Sequence, residues 1–315
     1  MSSDIRIVRG RILSFTDDPA VAGSRAHVLI DDGAVLVAKG KIEAVGEARD
    51  ILARAQRGAI IDDHTGSFVM PGFIDAHVHY PQTQVIGSYG AQLLDWLNNY
   101  TFVEEQKFVD PAHCARVAAF FLDELFRCGT TTAMVYCTVH PGSVDAFFAE
   151  AEERGARMIA GKVMMDRGAP QALMDTAERS YDESRALIER WSGRGRLGYA
   201  ITPRFAVTST RAQLEAAGAL AREFPHCYVQ THADENKAEI AHVAELYPES
   251  KNYIDVYARA GLTGPRSVFG HCIHLQDAEV AELAQSRSVA AFCPTSNLFL
   301  GSGLFDEARL ARARV

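Results

Sequence analysis

Four histidines and one glutamate in this chain have types and spacings that could assemble a reaction centre. The stretch FIDAHVH, residues 73–79, carries His77 and His79 one residue apart, YVQTHADE brings His232 with Glu235 three residues later, and SVFGHCIHL brings His271 behind a glycine. On a strand, alternate residues share a face, so Asp75, His77 and His79 point one way and Ile74, Ala76 and Val78 the other. Two imidazoles on one face can reach one ion. A lone histidine at a strand end is most simply a buried or surface polar residue, whereas His77, His79, His232 and His271 together favour a metal site. A divalent ion held by nitrogen and oxygen donors lowers the pKa of a bound water to about 7, which supplies a nucleophile without a nucleophilic side chain. A carboxylate just outside the ligands can then move protons between water and substrate, and Glu235 fits that post. Asp75 is read as a buried polar partner rather than a ligand. Lys162 could point inward from its strand, but the strand where a lysine bridging two metals is expected reads ITPRF, so one ion is expected.

Seven apolar strands must position these groups: FIDAHVH, TTAMVYC, MIAGKVMMD, LGYAITPRF, YVQTHAD, SVFGHCIHL and VAAFCPTSN. They alternate with helical segments, the rhythm of βα units and a parallel sheet. Asp110 as cap, Pro111 at the first helical position, and Cys114, Val117, Phe121, Leu125 and Cys128 on one face predict a helix before Gly129. Thr210 and Gln213 read as a capping box opening another, with Leu214, Ala217, Ala221 and Phe224 on its apolar face. No glycine-rich phosphate fingerprint follows the first strand, so a (β/α)8 TIM-type barrel is expected over a doubly wound sheet. The count is one strand short and the chain stops at ARLARARV, so the barrel over residues 71–315 is expected to be C-terminally incomplete. Residues 5 to 70 read instead as short antiparallel strands, with turns at Asp32-Gly33 and Lys39-Gly40.

Composition narrows the function. The chain has 315 residues, a formal net charge of -8, 48% hydrophobic and 23% charged residues, and neither a basic run nor an apolar stretch long enough for a membrane span. A nucleic acid polymer and a membrane are therefore not expected partners. The opening MSSDIRIVRG carries charges where a signal peptide needs apolar residues, which points to a cytoplasmic protein. The six cysteines form no CxxC pair and read as buried thiols of a reducing compartment.

PGFIDAHVH resembles the entry strand of the amidohydrolase superfamily, and HYPQ, TPRFAVTS, THADENKAEI, GHCIHL and CPTSNLFLGSGLF resemble its guanine deaminase family in particular. The resemblance runs in order through nearly the whole chain. It implies a barrel holding one zinc ion, a small β-sandwich to which residues 1–70 give the N-terminal part, a homodimer, and hydrolysis of guanine to xanthine and ammonia in purine catabolism. By the same resemblance His77, His79 and His232 bind the metal, Glu235 shuttles the proton, and His271 orients the attacking water. Substrate contacts fall to Gln82, Arg204 and Phe205, with His79, His232 and Glu235 also facing the purine. An amide both donates and accepts at a lactam edge, and a guanidinium is a fork donor to a carbonyl or ring nitrogen. A barrel-mouth ion pair is the plainer account of Arg204. The family's aspartate at the end of its last strand has no counterpart here; Asp306, on an expected helix, is a poor substitute. Iron in place of zinc, a related aminated purine, pterin or triazine as substrate, and a metal-free scaffold are the competing expectations.

Overall fold

The computed structural model describes residues 5–55, 58–89 and 92–315; Met1–Asp4, the start of the stretch read for an export signal, lie outside them. The chain divides into two compact units, Met1–Gly72 and Phe73–Val315.

The first unit is a four-stranded sheet of β1 (Ile5–Phe15), β2 (His27–Ala38), β3 (Lys41–Glu47) and β4 (Ile60–Val69), in the order β3-β2-β1-β4. Its core gathers Ile7, Ala34 and Leu36 from the sheet with Ala48 and Ile51 from the helix Ala48–Ala53. Lys39 and Gly40, with φ of 51° and 72°, make the two-residue hairpin turn expected of them. Two expectations fail in this unit. Asp32-Gly33 is no turn but the middle of β2, where Gly33 lies so close to β1 that a Cβ would stand 2.3 Å from Ile12 Cγ1. The strands are not all antiparallel either, because β4 pairs with β1 in parallel. The helix Ala48–Ala53 intervenes between β3 and β4 and gives the chain the crossover that a parallel pairing requires.

The second unit carries β5 (Phe73–His79), β6 (Thr130–Tyr136), β7 (Arg157–Gly161), β8 (Val163–Met164), β9 (Gly198–Pro203), β10 (Tyr228–Ala233), β11 (Ser267–His271) and β12 (Val289–Ala291). The order is β12-β11-β10-β9-β7-β6-β5, every pairing is parallel, and the short β8 joins β9. This is a nearly closed TIM-type barrel, and the seven expected strands are its staves, the third of them broken into β7 and β8 and the seventh ending at Ala291, with Pro294–Phe299 helical where a strand was expected to continue. Among the described residues no pairing joins β5 to β12. Alternation sorts the apolar residues: Met134, Ile159 and Ala200 cluster on one face, while Val135, Ala160, Tyr199, Ile201, Val229 and Phe269 pack with the helices.

The helices form where their caps say. Asp110 accepts from Ala112 N at 2.9 Å and opens Pro111–Arg127, which buries Cys114, Val117 and Phe121. Thr210 accepts from Gln213 N at 3.3 Å and opens Arg211–Glu223, although the Gln213 side chain is buried beside Ser180 and does not return to the cap. Lys162 does not point inward. Its Nζ pairs with Asp175 and with Glu183 of the helix Ala177–Trp191, because residue 162 shares the face of Met158 and Ala160 that packs on the helices. Five cysteines are buried thiols as expected, but Cys128 is exposed just past the end of its helix. No helix among the described residues is long and apolar enough to cross a membrane.

Candidate active site

The C-terminal ends of β5, β9, β10, β11 and β12 converge on a cavity of about 990 Å³ lined by His77, His79, Gln82, Arg204, Phe205 and His232, together with Glu235, His271 and Cys293. Every residue singled out as a candidate in the sequence therefore stands at one place. Asp75 faces the same way but accepts the backbone N–H of His77 at 3.0 Å, so it braces the strand that carries the histidines.

One ligand atom from each of His77, His79 and His232 lies within 4.8 Å of the other two. His79 Nε2 and His232 Nε2 are 3.0 Å apart; two nitrogens at tetrahedral zinc stand roughly 3.3 Å apart when each is about 2.0–2.1 Å from the ion. His232 Nδ1 lies 2.7 Å from the Arg204 carbonyl oxygen, which can only accept, so the proton sits on Nδ1 and the Nε2 lone pair is free to ligate. Burial holds all three imidazoles well below the ordinary histidine pKa, and neighbouring positive groups push the same way. They are neutral, as ligands must be. The donor set fits a divalent ion.

His271 reaches the cavity through a costly backbone. His271 and Cys272 have φ of 73° and 51°, and Asp234 opposite them has 53°, left-handed values that non-glycine residues rarely adopt. Hydrogen bonds between the two strand ends offset the strain: Cys272 N donates to Ala233 O, and Ile273 N and His274 N both donate to Asp234 O, each at 3.0 Å. Gly270 makes room alongside, since a Cβ there would stand 2.4 Å from His77 Cε1. His271 Nδ1 then donates to Asn297 Oδ1 at 2.7 Å, and its Nε2 lies 3.3 Å from Glu235 Oε2.

Glu235 is 2% exposed, and burial pushes its carboxyl up to about 8 against a single opposing hydrogen bond from Ser302. Its backbone is held by Glu239, whose Oε2 accepts from Glu235 N and Asn236 N at 3.2 and 3.1 Å while Oε1 accepts from Tyr253 OH at 2.6 Å. On the other wall Arg204 Nη1 bonds both oxygens of Glu105 at 2.9 and 2.7 Å, with the guanidinium 5.4 Å from the Phe102 ring. Arg204 is thus both an ion-pair member and a cavity wall, and the rest of its fork remains for a ligand. Tyr257 OH receives the N–H of Ala206 at 2.9 Å and donates to His232 O at 2.7 Å, tying the segment after β9 to the ligand strand.

A model of the amidohydrolase family matches residues 68–313. The chain belongs to the amidohydrolase family. Members are generally metal-dependent, in keeping with the histidine cluster. Among amidohydrolases the chain is similar to the guanine deaminase of Escherichia coli (strain K12), 49% identical over 305 residues that span 96% of this chain and 69% of that protein. A probable guanine deaminase of Deinococcus radiodurans is 41% identical over 99% of this chain and 72% of its own. Among solved amidohydrolase structures, the E. coli guanine deaminase superposes with a TM-score of 0.96, covering 98% of this chain and 72% of that one. The guanine deaminase of C. acetobutylicum with bound guanine in the active site gives 0.90 at 29% identity, with coverage of 98% and 72%.

Glu105, Tyr136, Glu239, Tyr253, Tyr257, Asn297 and Cys293 escaped the sequence reading. Only Glu239 had a local signal, standing three residues after Asn236 in the spacing of a capping box. Tyr136 stacks on His79 with ring centroids 4.3 Å apart, yet it reads in sequence as one more apolar strand residue.

Proposed function

We propose that the chain hydrolyses guanine to xanthine and ammonia, with one zinc ion held by His77, His79 and His232. The observation that carries this reading is the meeting of His77, His79 and His232 with a buried Glu235 in a cavity walled by Arg204, Phe205 and Gln82. Likeness to guanine deaminases over nearly the full chain supports the choice of ring. Zinc is preferred over iron for a histidine-rich, tetrahedral-leaning donor set. The ion, when bound, polarises a water and lowers its pKa toward neutrality.

Glu235, in its carboxylate form, takes the proton of that water, and C2 of guanine becomes tetrahedral as the oxygen adds. Glu235 delivers the proton to the adjacent ring nitrogen; a second transfer to the exocyclic amine lets ammonia leave as the C2 carbonyl forms. Burial suits the carboxyl to this exchange, because its proton affinity lies close to that of the groups it serves. His271, fixed by Asn297 through Nδ1, presents Nε2 toward Glu235 and the attacking water. Arg204 donates to the purine carbonyl or a ring nitrogen, Gln82 pairs with the lactam edge, and Phe205 covers a ring face. The test supplies zinc to the 315-residue chain and to one extended at its C-terminus, and follows guanine absorbance together with ammonia release. Loss of guanine matched by ammonia is expected; turnover of an aminated pterin or triazine with guanine untouched would replace the substrate, and zinc binding without any turnover would leave a scaffold.

A further inference from the structure

We propose that the cavity contains a second, overlapping ion position made by His77, His271 and Cys293, which takes thiophilic divalent ions and competes with the three-histidine position for His77. One ligand atom from each of these residues lies within 4.8 Å of the other two, and this is one of two such groups among the described residues, the other being the histidine set itself. The three donors come from the ends of β5, β11 and just beyond β12, so the barrel, not a local turn, brings them together. The two histidines are prepared for ligation, and Cys293 stands beside them as a buried thiol. Asn297 holds the His271 proton on Nδ1 and leaves the Nε2 lone pair open, as protein partners of metal-bound histidines do. Gly270 allows His77 to stand against the end of β11. Cys293 is 7% exposed, is in no disulfide, and has Sγ 3.4 Å from the Ala291 carbonyl as its hydrogen-bond partner.

Binding there forms a sulfur–metal bond and releases the thiol proton to solvent, which Zn2+, Cd2+ or Co2+ can drive and Mg2+ cannot. An ion so placed withdraws His77 from the productive set and occupies the His271 nitrogen that faces Glu235. Excess zinc is therefore inhibitory. This inference rests on the metal reading above through the shared His77, and the two are separable by spectroscopy.

The test strips the chain with a chelator and titrates it with Co2+, recording a thiolate-to-cobalt charge-transfer band in the near ultraviolet and the visible ligand-field bands of histidine-bound cobalt. Cys293→Ser should abolish the charge-transfer band and keep the visible bands; His79→Ala, which dismantles only the three-histidine set, should keep the charge-transfer band. Cys293→Ala serves as a second variant, with circular dichroism to check folding. In turnover assays the zinc concentration for half-inhibition should rise about tenfold when Cys293 is replaced, the size of a perturbed ligand shell. A band that survives in both Cys293 variants, or is absent from the unsubstituted chain or from His79→Ala, overturns the proposal. A thiolate band without an independent histidine-bound form would overturn the three-histidine reading and, with it, the competition proposed here.

Discussion

At the scale of single residues, the site depends on a carboxyl whose surroundings raise its affinity for a proton. Glu235 is buried with few donors around it, so charging it is costly. Glu235→Gln preserves shape and leaves the imidazoles alone; it should bind zinc as the unsubstituted chain does while guanine turnover falls about 10²–10⁴-fold, read by metal analysis beside a rate assay. The same shift makes a stability prediction. A carboxyl raised to about 8 in the folded state holds a proton that the unfolded chain releases near the ordinary glutamate value, so its contribution is full at low pH and is lost as pH rises through about 8. The urea midpoint of the metal-free chain should therefore fall between about pH 6 and about pH 9, and fall less in Glu235→Gln. The histidine spacing, the glycine before His271 and the placement of Glu235 were legible because each is a local pattern read against strand alternation. Asn297 and Cys293 were not, because nothing near them in sequence says which strand end they face.

At the scale of elements, each wall of the cavity is set by a segment with a second task. The helix Lys237–Leu246 begins with Asn236 as its cap, and the Glu239 that closes the capping box also grips the backbone of Glu235. A helix start thereby becomes the mount for a buried carboxyl of the cavity. Residues 93–105 supply Leu93, Trp96 and Leu97 to the cavity lining, then Phe102 and Glu105 beneath Arg204. Glu105→Gln keeps the volume but removes the charge facing a buried guanidinium. KM for guanine should rise about tenfold with a smaller change in kcat, and thermal stability should drop, since a buried charge has lost its partner. Equal losses in kcat and kcat/KM with KM unchanged would show that Arg204 acts on the reaction and not on binding. Sequence patterns gave the helices and their caps well, but the Arg204–Glu105 pairing spans 99 residues and has no periodic signature. The same reason explains β4: it falls within the span read as antiparallel strands, while its direction beside β1 is decided by a crossover that strand patterns do not encode.

For the whole molecule, the barrel serves to bring distant donors to one end of a rigid parallel sheet. An ion that binds only the assembled end stabilises the entire fold by mass action, by about 2.7 kcal/mol at a hundredfold excess over its Kd. Chelation should lower the Tm by several degrees, zinc should restore it, and His232→Ala should weaken the response, all measured by calorimetry. Fold class was the most legible property because it rests on repeated strand–helix alternation, which averages over local errors; the inward placement expected of Lys162 failed because one residue on one strand has no such averaging. His77 and His79 lie two residues apart on one strand, whereas His232 is 153 residues from His79. The unfolded chain thus already contains a local two-imidazole chelate, and only the third donor waits for the sheet to assemble. Metal capture during refolding is consequently a two-stage clock: a weak early complex on β5, then a tightening that marks the moment β10 arrives. An ion that also grips the unfolded chain stabilises the fold by less than its affinity for the assembled site alone would give.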